Sequence, residues 1–223
     1  MSSERQSPDE RRYPIGGRMA DVVLGLARRF RLESLMERHS TVPVLGLFAF
    51  LNGLLSIALM ALVALATRQP FVFPSLGPTA FLLFYTPQAP TASPRNTLCG
   101  HLIGVIAGYA SLAAFGLLHA GPSILVGVSW ARVGAAALSL GLTAGFMVWL
   151  RVPHPPAGAT TLIVSLGLIA GLAKLAVLMA GVLLLVVQGF VINRLAGIDY
   201  PIWSPRTPRG ERPEQSPDAR ARS

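Results

Sequence analysis

The sequence predicts an all-α membrane protein with four long transmembrane helices and two short broken or re-entrant segments in a duplicated arrangement. Three observations predict it. Of the 223 residues, 52% are hydrophobic and 13% charged, well outside the balance of an ordinary soluble chain. Apolar runs at 43–66, 97–118, 124–150 and 172–193 each hold about the 20 residues that cross a hydrocarbon core of ~30 Å. Between Thr41 and Asn193 the chain has no Asp or Glu, although Arg68, Arg95, Arg132, Arg151 and Lys174 lie there.

Residues 1–40 read as a cytoplasmic tail with a juxtamembrane amphipathic helix over Met19 to Glu37, carrying Val22, Val23, Leu26 and Phe30 on one face. The first long run follows a mixed-charge segment and is not a secretory signal. Residues 41–203 form the transmembrane domain. Residues 204–223, with Pro205, Pro208, Pro213 and Pro217 among charges, read as a disordered cytoplasmic tail. The tails carry mixed charge, which suits the positive-inside rule and anionic lipid better than nucleic-acid binding, so no nucleic-acid partner is expected. Both termini are placed in the cytoplasm of a cell (inner) membrane. Cys99, the single cysteine, excludes an internal disulfide and reads as a packing residue in a helix's first turn.

The two short segments repeat each other. Pro74-Ser75-Leu76-Gly77-Pro78-Thr79-Ala80 aligns with Pro155-Pro156-Ala157-Gly158-Ala159-Thr160-Thr161, and each copy follows a long helix ending in Arg. Pro and Gly stop a helix, and Pro is tolerated in the first turn of a new one. Short helices are therefore expected from near Pro78 to before Pro87, and from near Pro156 to about Gly167. At ~13 Å neither helix crosses a bilayer alone, and irregular backbone at membrane depth needs protein or a water-filled cavity around it. Two topologies follow: four spans with two re-entrant segments, which is favoured, or six crossings with inverted halves.

A membrane region whose fixed charges are all positive favours anions. A helix starting inside the membrane aims unpaired N–H groups and a partial positive charge at what faces it, an arrangement transporters use on anionic substrates. Gly77 and Gly158 would permit close approach of backbone, and Ser75, Thr79 and Thr160 would add hydroxyl donors. Arg151 and His154 would form an electropositive vestibule at the second copy. Arg95 and His101, on the next long helix, could reach over the first. Arg132 reads as a cytoplasmic anchor, and the pairs Gly104–Gly108 and Gly141–Gly145 as marks of close helix packing, with homo-oligomer contacts a further expectation.

These residues carry a resemblance. The run His154-Pro155-Pro156-Ala157-Gly158-Ala159-Thr160 resembles the signature of the HPP family of integral membrane proteins. Gly77-Pro78-Thr79-Ala80, Pro94-Arg95-Asn96 with Gly100-His101, Asn193, and Tyr200-Pro201 with Trp203 resemble it too, over roughly 42–203. The resemblance implies a compact membrane domain, usually described as four-spanning, and nitrite as the solute, since plastid and cyanobacterial relatives are associated with nitrite transport.

The expected function is passage of a small inorganic anion by a channel-like or facilitative route, with His-linked proton coupling as second choice. A structural or sensor subunit of a membrane complex is the main rival. An enzyme is not expected: the region offers no carboxylate pair, no metal-ligand spacing and no nucleophile beside a base, so no metal and no cofactor are assigned. The partners expected are the anion and the lipid bilayer.

Overall fold

A computed structural model describes residues 32–169 and 171–205, which contain helices and no strand. The amphipathic stretch before Leu32 and the tail beyond Pro205 lie outside the described residues. The helices are α1 (Leu32–Arg38), α2 (Thr41–Thr67), α3 (Leu76–Tyr85), α4 (Pro94–Ala114), α5 (Ser123–Val126), α6 (Trp130–Trp149), α7 (Ala157–Ser165) and α8 (Leu172–Leu195), with a 3₁₀ turn at Pro90–Ala92. Four of them, α2, α4, α6 and α8, are long and apolar enough to cross a membrane. The two short helices fall where the repeated Pro/Gly segments predict them.

Punctuation in the sequence explains the boundaries. Pro94 opens α4 behind Ser93, whose hydroxyl accepts from the Asn96 amide at 3.4 Å, and Ser129 caps α6 the same way at 3.2 Å. Both α2 and α6 end at an arginine in the left-handed region, Arg68 and Arg151, each with φ 54°. The duplicated units thus turn their corners alike.

The chain path follows from contacts at the helix ends. The start of α1 bonds the end of α8, from the Leu32 amide to the Ala196 carbonyl at 3.1 Å, which defines a proximal end of the bundle. Thr41 and Leu45 of α2 share a proximal groove with Tyr85–Ala89 and Ala196–Ile198. The chain therefore leaves α2 at the distal end and returns to the proximal end through 69–75 and α3. Gly181 of α8 lies beside Phe71 and Leu76, and Gly189 beside Leu83, so α3 runs parallel to α8.

The second half mirrors this path. The end of α6 is proximal, where Arg95 reaches the Leu150 carbonyl. Its start is distal, where Arg132 bonds the last residue of α7, Ser165. Each short helix with its lead-in thus runs between opposite ends of the bundle. The two halves therefore run in opposite senses, as the alternative with inverted halves describes, and the four long helices and two short broken segments are those the sequence predicts. The physical reason is length: the non-helical residues ahead of each short helix, 69–75 and 150–156, add their own rise to that of the helix.

The core is built on a glycine face. A Cβ at Gly100 would stand 2.7 Å from His154 Cβ, one at Gly104 2.7 Å from the Ala157 carbonyl, and one at Gly108 2.9 Å from the Thr161 carbonyl. Glycine every fourth residue keeps this stripe on one side of α4, and α7 lies against it almost backbone to backbone, as small-residue faces allow in membranes. Gly141 meets nothing within 4 Å and plays no such part here.

Gly104→Ala should therefore force α7 off α4 and cost about 1–3 kcal/mol by overpacking. Gly46→Ala, in open space on α2, should cost nothing. Thermal unfolding of the two purified variants in one detergent checks the contrast.

Candidate functional site

Four of the predicted side chains meet in one cluster inside the bundle. Thr79 stands in the first turn of α3, His154 in the lead-in to α7, Thr160 on α7 and His101 on α4. His101 lies seven residues past Pro94, about 10 Å from the proximal end. All four are fully buried, as are Ser75 and Thr97 beside them.

The distances are those of a closed hydrogen-bond network. Thr79 Oγ1 is 2.9 Å from His101 Nε2 and 3.2 Å from His154 Nε2. The two Nε2 atoms are 3.2 Å apart. His101 Nδ1 is 2.7 Å from Thr160 Oγ1, and His154 Nδ1 is 2.7 Å from the Thr91 carbonyl. Thr79 also donates to the Ser75 carbonyl at 3.1 Å.

These contacts assign the protons. A carbonyl only accepts, so His154 carries a proton on Nδ1 and, as a neutral ring, presents a lone pair at Nε2. Were His101 also bare at Nε2, two lone pairs would face each other at 3.2 Å. His101 therefore carries its proton on Nε2, pointing at His154 and Thr79, and accepts from the Thr160 hydroxyl at Nδ1. Every polar side-chain atom of the four then has a partner, as buried polar groups require. The Ser75 hydroxyl next to them is buried with no partner.

Other predicted residues lie elsewhere. Gly77 is exposed, with nothing within 4 Å of a Cβ, and Gly158 faces Leu140 of α6, so neither lines the cluster. Arg151 is exposed at its left-handed corner and Arg95 is half-buried at the proximal end. None of the cluster's hydrogen bonds involves either, so the expected vestibule does not form around His154.

The helix-end amides also differ from expectation. In α7 the N–H groups of Ala157, Gly158, Ala159 and Thr160 already bond the carbonyls of His154, Pro155 and Pro156, at 3.0 to 3.4 Å. The tight turn made by the two prolines folds these acceptors back onto the first turn. At α3, the Leu76 amide bonds Phe73 and Pro78 has no N–H to offer. The chemistry therefore rests on side chains. Among the described residues no group of three or more His, Cys, Asp or Glu converges.

Sequence reasoning passed over several supports. Thr97, one turn before His101 on the same face of α4, lies 3.5 Å from His154 Nδ1, and its i, i+4 spacing was a readable signal. Thr91 acts through its carbonyl, which no side-chain pattern marks. Tyr200 is fully buried and its hydroxyl donates to the Ala92 carbonyl. Burial pushes this phenol above its usual range, which keeps it a donor. The Arg95 amide bonds the Trp203 carbonyl at 3.0 Å, so residues 200–203 strap down the turn that carries Thr91. Arg132 is buried at the distal end and is not the cytoplasmic anchor expected, because the carbonyls of Gly121 and Ser165 hold its guanidinium inside.

Comparison with known proteins agrees with this architecture. The family description "HPP, transmembrane region" matches residues 39–201. The chain belongs to the HPP family. It is 28% identical over 161 residues to one transmembrane protein of Dictyostelium discoideum, covering 70% of this chain and 53% of that protein. It is 29% identical over 120 residues to a second from the same organism, covering 52% of this chain and 35% of that protein. The chain therefore spans about half the length of the first relative and about a third of the second. No solved structure matches it. This HPP chain is a multi-pass membrane protein.

Thr160→Val should leave His101 Nδ1 buried and unbonded and lower stability by about 1–3 kcal/mol. Tyr200→Phe, which strands the Ala92 carbonyl, should cost a similar amount. Denaturation midpoints measured against the parent chain check both.

Proposed function

We propose that this protein moves a small inorganic anion, with nitrite as the solute, across a membrane, and that the cluster of Thr79, His101, His154 and Thr160 is its binding site. The observation that carries the reading is the pairing of this buried donor cluster with a region, Thr41 to Asn193, that holds five basic residues and no acid. A cation entering it would find no carboxylate. An anion would find the His101 Nε2–H, the hydroxyls of Thr79 and Thr160, and the unpaired hydroxyl of Ser75.

The cluster also bears on mechanism. Its donors are already spent on protein acceptors and its side chains are fully buried, so this conformation is occluded at the site. An anion must take the His101 and Thr79 protons away from His154 and Ser75. Binding therefore breaks contacts between α3, α4 and the lead-in to α7. Those elements belong to both halves of an inverted fold, as in carriers that rock one half against the other around a fixed site. This supports a facilitative carrier over a standing open channel. We place the cytoplasmic face at the proximal end, the end to which both arginine-bearing tails connect.

Purified protein in liposomes, assayed for nitrite uptake, tests the reading. The parent chain should accumulate nitrite down its gradient without an imposed pH gradient. Thr79→Val and His101→Ala should each reduce the rate at least about tenfold, the equivalent of one lost hydrogen bond of ~1.4 kcal/mol, while still inserting in the membrane. Unchanged flux in both variants would remove the cluster from the transport path.

A further inference from the structure

The distal end of α7 presents an imbalance that the cluster does not explain. Arg132 is 2% exposed, and its guanidinium bonds the Ser165 carbonyl at 3.2 Å and the Gly121 carbonyl at 2.8 Å. Those bonds use two of the five donors of a guanidinium. Gly167 leaves room for the group: at φ 74° it turns the chain, and a Cβ there would stand 3.0 Å from Arg132 Nη1. The hydroxyl of Ser165, on the residue whose carbonyl Arg132 binds, is buried with no partner.

Arginine cannot shed its charge to escape burial, as lysine can, and a buried charge without a counter-charge is costly. Among the described residues no carboxylate is at hand. Within the described residues the acids are Glu33, Glu37 and Asp199, all in the proximal elements at the far end of the bundle. The carbonyl end of α7 supplies only a partial negative charge. Donors and positive charge are thus in surplus at this spot.

We infer that Arg132 and Ser165 form a second anion site, at the distal end of α7, that takes a small monovalent anion such as chloride or nitrite. The anion supplies the missing counter-charge and accepts from the guanidinium and the Ser165 hydroxyl together. The site stands at the opposite end of the same half-helix whose first turn carries Thr160, so an anion there lies at the distal approach to the cluster. The link to transport rests on the proposed function; the binding does not.

The experiment is thermal unfolding of the purified full-length chain in detergent. Sodium chloride replaces sodium gluconate at constant ionic strength, so that nitrite binding at the cluster does not enter the readout. The parent chain should gain roughly 3–6 °C at ten times the dissociation constant. Arg132→Gln should abolish the gain and Arg132→Lys should keep part of it. Ser165→Ala, which retains the carbonyl that Arg132 binds, should raise the anion concentration needed by about tenfold, and it carries the test if Arg132→Gln does not fold. Gly46→Ala, in open space on α2, should respond as the parent does. A parent chain indifferent to chloride overturns the inference. So does a full response in Ser165→Ala or Arg132→Gln. A retained response combined with absent nitrite flux would leave this site standing and remove the transport reading.

Discussion

The close approach of α7 to α4 is the constraint on which the rest depends. Gly100, Gly104 and Gly108 remove the side chains that would hold the two helices apart, and the clearances of 2.7 to 2.9 Å that a Cβ would have leave no room for adjustment. At that separation Thr160 and His154 come within hydrogen-bonding distance of His101. In a bilayer no hydrophobic effect pushes helices together, so packing at small residues and hydrogen bonds between helices carry the association. Here both act on the same pair of elements. The glycine stripe brings the polar groups together, and the polar groups reward the contact.

The two halves are related by inversion, yet the chemistry is not shared equally. The repeat offset of 81, from Pro74 to Pro155, pairs Thr79 with Thr160. The same offset pairs His101 with Val182 and His154 with Phe73, and both apolar partners are buried. Each half contributes one threonine, while the imidazoles occupy one of two equivalent places. The fold thus offers two mirrored niches and fills one with polar groups. That asymmetry sets the cluster nearer the proximal end, with Arg132 buried at the other.

Much of this was readable beforehand. Long apolar runs and Pro/Gly breakers marked all four long helices and both short ones, because helix length and helix termination are local properties. The duplicated Pro-x-x-Gly-x-Thr segments pointed at Thr79 and Thr160, and chemistry pointed at His101 and His154. What could not be read was how side chains turn. Gly77 and Gly158 match in sequence but face outward and toward α6, since a helix's rotation is set by its neighbours. The amides of α7 were expected to be free, but a two-proline turn returned carbonyls to them. Arg132 looked like an interfacial anchor because its carbonyl partners, Gly121 and Ser165, carry no mark in the sequence. The opposite sense of the two halves depended on the path of an extended lead-in, which periodicity does not describe.

Accessibility of the site is the most direct measurement of the central claim. Ser75→Cys, in a Cys99→Ala background, places a single small thiol beside the cluster at a position that is fully buried here. If an anion is carried through this cluster by alternate opening, a small membrane-impermeant thiol reagent should label the cysteine in liposomes slowly, and nitrite should change that rate severalfold. A cysteine that labels at one rate with and without nitrite, or that never labels, would contradict the account.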